Sequence, residues 1–204
     1  MDKNSKQNGN DTQSQQEKEK QIIIKLREKL EKLLSGDEGV DVIVEKEKPL
    51  LYQVVVMKGD NKEFRNYKQD LLISEAQKPR VPLVVIEVKN ANKQKSKKGS
   101  SPTTHAILTY SMKALKIKEI YPYLRYGLLI VGEKRIVPRF FTHNFGLLGG
   151  FDFAMAMENM DDENEVKRLS EVVKKQIETA RHLWEILSKE IKDIKVFQTL
   201  VKTE

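Results

Sequence analysis

Cysteine is absent from the 204 residues, which excludes disulfides, thiolate-held zinc and thiol nucleophiles and fits a reducing, cytoplasmic setting. Histidine is nearly as scarce. His105, His143 and His182 are too few and too scattered for a zinc or histidine-based hydrolytic site, and each reads as a structural or surface residue. No apolar run approaches the roughly 18 residues of a membrane span, and Met1 to Lys20 lacks the apolar centre of a signal peptide. A cytoplasmic protein with no membrane partner is therefore expected. A glycine-rich loop ending in Lys-Ser/Thr is also missing, which excludes an ATP-driven motor within the chain. The scarce aromatics include Phe140, Phe141, Phe145, Phe151 and Phe153, which read as core rather than as a platform for stacking bases.

What the chain has in abundance is charge. Charged residues make up 33% and hydrophobic residues 39%, with a net charge of +7 and a pI near 9.3. A basic surface favours a polyanionic partner, because each Lys or Arg that meets a phosphate releases condensed counterions. Nucleic acid is the first candidate partner, and simple solubility is the alternative.

The length suits one domain. Residues 1–20 are polar throughout after Met1 and suggest a disordered tail, leaving 21–204 as the folded unit. Ile23, Leu26, Leu30, Leu33 and Leu34 recur at helical spacing up to the stop at Ser35-Gly36. Val40 to Met57 reads as two short strands or one interrupted strand. Asp70-Leu-Leu-Ile and Leu83 to Lys89 form a hairpin around the turn residues Gln77 to Arg80. From Thr103 or Thr104 the positions Ile107, Leu108, Met112 and Leu115 suggest an amphipathic helix. Tyr126 to Val131 is a buried strand, Phe140 to Met157 holds one or two more, and a long helix starts near Asp161-Asp162-Glu163. The expected fold is α/β, a mixed central β-sheet flanked by α-helices.

Chemistry concentrates on one strand. Alternation puts Leu83, Val85, Glu87 and Lys89 on one face, and Val84, Ile86 and Val88 on the other. Such apolar surroundings imply a central strand, where a carboxylate costs several kcal/mol unless it is paired or bound to a metal. The hairpin brings Asp70 toward Glu87. Two carboxylates and an ammonium suit phosphodiester hydrolysis, with hard oxygens holding Mg2+ and the ammonium orienting water or a phosphate oxygen.

Asp70, one hairpin, then Glu87-Val88-Lys89 resembles the PD-(D/E)xK nuclease superfamily over roughly Gln21 to Gly132. The resemblance implies a restriction-endonuclease-like core and a Mg2+-dependent deoxyribonuclease, with Mn2+ able to substitute. It implies metal ligation by Asp70, Glu87 and the Val88 carbonyl, and water activation by Lys89. An additional acid from the first helix is also implied, with Glu31 the candidate beside the apolar stripe. Restriction, defence or repair cleavage of double-stranded DNA is the expected activity. A junction resolvase, or an inactive nucleic-acid-binding or assembly module of the same fold, is the alternative. Two opposed cuts imply a homodimer. Two departures stand out: Gln69 replaces the proline before Asp70, and His105-Ala106 with Tyr110 lacks the glutamine of the His-Gln-x-x-x-Tyr helix found in some members.

Glu-x-Lys also occurs at Glu165 to Lys167 and Glu190 to Lys192, on the last helix, where a solvated face explains it. A plain salt bridge is the competing reading for Glu87 and Lys89, and Asp60 and Glu75 rival Asp70. Lys93, Lys95, Lys97 and Lys98 follow the strand as a basic loop suited to the nucleic-acid backbone, or to serving as a solvated linker.

Overall fold

β-Branched and apolar residues fill the segment that becomes the middle of the sheet. In the computed structural model, which describes residues 4–36, 39–58, 61–91, 104–132 and 145–190, five strands lie in chain order. They are β1 (Val42–Lys58), β2 (Asn61–Glu75), β3 (Pro82–Asn90), β4 (Arg125–Val131) and β5 (Phe153–Met157). β1, β2 and β3 pair antiparallel, and β3, β4 and β5 pair parallel, so the sheet is mixed. β3 is thus central, flanked by one neighbour of each sense, and Leu83 to Val88 is buried throughout.

Helices cover both faces. α1 (Asn4–Ser35) and α3 (Glu163–Glu190) bury Ile23, Leu26, Leu30 and Leu34 and Val166, Leu169, Val173, Ile177 and Ala180 in one core with the strand residues Ile73, Val84, Ile86 and Val88. Lys29 of α1 donates to the Met160 carbonyl just before α3 (2.7 Å), and the Asp162 side chain accepts the Asn164 N–H at the start of α3 (2.9 Å). α2 (Thr104–Ile120) makes the crossover that parallel neighbours β3 and β4 require. It covers the opposite face, where Ile107 packs with Ala91, Leu128 and Ile130. A 3₁₀ helix (Phe145–Gly150) precedes β5.

The expected hairpin is present, with Leu72 opposite Val85, and β1 is one strand with a register break between Pro49 and Gln53. Phe151 and Phe153 pack on the core, as their reading required. Helix α1 begins at Asn4. Once Ile23 to Leu34 is docked, each further residue adds a backbone hydrogen bond without a new nucleus. One expectation differs. On α2, Leu108, Met112 and Leu115 face outward, 44 to 50% exposed, while Ile107, Ser111, Lys113, Ala114 and Ile117 are buried. Two overlapping stripes fit the α2 sequence, and the sheet takes the one that carries a lysine.

Candidate active site

Hairpin register brings the carboxylates together. Leu71 stands opposite Ile86, and continuing the ladder by one pair sets Asp70 beside Glu87. Asp70 Oδ2 accepts the Val88 N–H (2.8 Å) and lies 3.7 Å from Lys89 Nζ. The Lys89 ammonium also pairs with Glu19 Oε1 on α1 (3.2 Å) and sits 4.6 Å from the centre of the Tyr110 ring on α2. The face shared by Asp70, Glu87 and Lys89 is the one that α2 covers.

Glu87 is only 2% exposed. Its Oε1 receives both the Lys113 ammonium (2.5 Å) and the Tyr126 hydroxyl (2.7 Å). Lys113 Nζ also lies 3.4 Å from the Lys68 carbonyl, and the Tyr126 hydroxyl lies 3.0 Å from Gln69 Oε1. The Tyr126 hydroxyl stands between two acceptors, Glu87 Oε1 and Gln69 Oε1, and a phenol has one proton to give, which the nearer carboxylate takes. Parallel pairing of Glu87 with Leu128 explains Tyr126, which lies two residues away on the same face of β4.

The two carboxyls differ electrostatically. Burial and then the neighbouring Glu87 push Asp70 up to about 7, and Lys89 and the Val88 N–H only partly offset this. Burial would also raise Glu87, but the Lys113 charge and hydrogen bond, with Lys89 and Tyr126, bring it below the ordinary carboxylate value. Burial works against the Lys89 ammonium, yet Asp70 and Glu19 hold it above the usual lysine value. Tyr126 is raised by burial and by Glu87, so it remains a donor.

Asp70, Glu87 and Lys89 are therefore brought together, with Val88 between them, its side chain buried on the other face. Glu31 is not among them: it pairs with Arg27 (2.9 Å), whose Nε donates to the Val44 carbonyl. Of the rival acids, Glu75 forms a two-pronged pair with Arg181 (2.7 and 2.8 Å), and Asp60 lies outside the described residues. Lys93, Lys95, Lys97 and Lys98 also lie outside them. Sequence reasoning missed Glu19, Gln69, Lys113 and Tyr126; a lysine flanked by Ala114 and Ile117 on α2 was the only signal available for any of them. Among the described residues no group of three or more His, Asp or Glu side chains is placed to hold a metal ion. No protein-family model, curated protein or solved structure matches the chain.

Proposed function

We propose that the protein is a metal-dependent endonuclease of the PD-(D/E)xK type, with a restriction-endonuclease-like core, that hydrolyses phosphodiester bonds in double-stranded DNA. One observation carries this reading: Asp70 and Glu87 stand side by side on adjacent central strands, with Lys89 beside them on the same face. Two carboxylates fit Mg2+, which is commonly held by one or two carboxylates while water and substrate phosphate supply the other oxygens. The chemistry such an ion supplies when bound, or Mn2+ in its place, is a water made more acidic and relief of the charge that builds on the phosphate.

The protein's own groups divide the remaining work. Asp70, Glu87 and the Val88 carbonyl provide oxygens. Lys89 cannot ligate a cation, having donors only, and orients the attacking water or a phosphate oxygen. Glu19 and the Tyr110 ring fix where that ammonium points. Glu19, on the first helix, acts on the site through Lys89. The basic stretch from Lys93 to Lys98 suits the DNA backbone, and two opposed cuts call for a homodimer in the cytoplasm.

Nicking of supercoiled plasmid with Mg2+ or Mn2+ tests the reading. Cleavage is expected for the wild type and is lost with EDTA, in Asp70→Asn and in Glu87→Gln; cleavage retained in either variant removes the assignment. The Glu87 to Lys113 ion pair favours one second reading, a DNA-binding module without turnover, because a buried pair can be held for its fold alone. DNA binding without metal-dependent nicking would support it.

A further inference from the structure

Lys113 has no part in the proposed chemistry, yet it is buried against it. Its ammonium is held 2.5 Å from Glu87 Oε1 and 3.4 Å from the Lys68 carbonyl, and the residue is 8% exposed. A position flanked by Ala114 and Ile117 on the core side of α2 would be served for packing by an apolar residue, and burying an ammonium is costly. The charges nearby pair off in a specific way. Lys89 lies between Asp70 and Glu19, while Lys113 faces Glu87.

Glu87 therefore already carries a counter-charge before any cation arrives. Its Oε1 accepts two donors, which fills that oxygen's lone pairs. A divalent ion shared by Asp70 and Glu87 would sit within a few ångströms of a buried ammonium, at low dielectric, where like charges repel strongly. A phosphodiester brings negative charge and oxygen donors that relieve this repulsion.

We infer that Lys113 is a resident counter-ion that keeps divalent-cation affinity low in the free protein and makes loading of the ion depend on the phosphate of bound nucleic acid. This rests on the reading of Asp70 and Glu87 as metal ligands. Coupling of this kind is reciprocal, so the ion strengthens nucleic-acid binding by the same factor.

Calorimetric titration with Mn2+ at pH 8, with and without a phosphorothioate-substituted DNA duplex that resists cleavage, tests it on the full-length protein. The wild type is expected to bind Mn2+ about tenfold or more tightly with the duplex present. Lys113→Gln, which keeps a donor and loses the charge, is expected to bind Mn2+ about tenfold more tightly than wild type without DNA and to gain less from the duplex. Lys113→Arg should behave as wild type. Wild-type affinity indifferent to the duplex overturns the inference, and this arm decides even where a variant fails to fold. A folded Lys113→Gln protein that binds Mn2+ no more tightly also overturns it. Asp70→Asn separates the two claims: Mn2+ binding unaffected by that change means the ion is held elsewhere, and the proposed function itself fails.

Discussion

Asp70→Asn should change how stability depends on pH, and the sign follows from the raised pKa. In the folded protein Asp70 keeps its proton up to about 7, against 3.8 for the ordinary group. Between those values the folded state binds more protons than the unfolded chain, so stability falls as pH rises. The contribution is fully present below about 3.8 and is gone once pH has passed through about 7. A shift of about three units corresponds to at most about 4 kcal/mol. With 22% of the side chain exposed, solvent screening brings the expectation to about 2 kcal/mol. Asparagine imitates the protonated acid, can still accept the Val88 N–H, and cannot ionise. Urea unfolding with EDTA at pH 5, 6, 7 and 8 should show the wild type losing about 1 kcal/mol more than the variant across that range, because only about two of the three units fall within it. The groups common to both proteins cancel in the difference. Parallel profiles would mean that Asp70 ionises normally, and the account of its burial beside Glu87 would be wrong.

Three further outcomes are expected. Lys89→Met keeps the apolar stem, so single-turnover cleavage should fall at least about tenfold, roughly 1.4 kcal/mol of barrier, with melting temperature and Mn2+ binding retained; a rate loss matched by unfolding would make the lysine structural. Replacing Lys93, Lys95, Lys97 and Lys98 by Ala should lower the salt slope of DNA binding by up to about 3.6, and an unchanged slope would leave that stretch a linker. Gly127→Ala should destabilise the protein by about 1 to 3 kcal/mol or more in chemical denaturation, because a Cβ there overlaps the Phe153 ring on β5; an unchanged midpoint would show that the two strands have room to part.

Much of the sheet was legible because strand signals are local. The run from Leu83 to Val88 announces a central strand by composition, and its period of two assigns Glu87 and Lys89 to one face without knowledge of the neighbours. The turn residues Gln77 to Arg80 then limit where Asp70 can fall. Helix faces were less legible. On α2 the outward Leu108, Met112 and Leu115 form as regular a stripe as the inward Ile107, Ala114 and Ile117. Periodicity reports that a stripe exists. Which of two stripes meets the sheet is decided by the crossover from β3 to β4.

The same reasoning separates the part of the site found in the sequence from the part that was not. Asp70, Glu87 and Lys89 depend on one hairpin, whose register is set by a short turn and by burial of alternate residues. Tyr126 and Lys113 depend on the parallel register of β3 with β4, 39 and 26 residues along the chain from Glu87, which no local pattern encodes. Glu31 is the first-helix candidate because it flanks the apolar stripe, and that local pattern does not report which turn of α1 passes Lys89. Glu19 of α1 is the acid that meets Lys89, and the twelve-position step from it to Glu31 amounts to about 18 Å along the axis. A side chain cannot span that distance, so Glu31 does not reach Lys89. The polar composition of residues 1–20 also hid Glu19, because a helix extended from a docked segment needs no apolar stripe of its own.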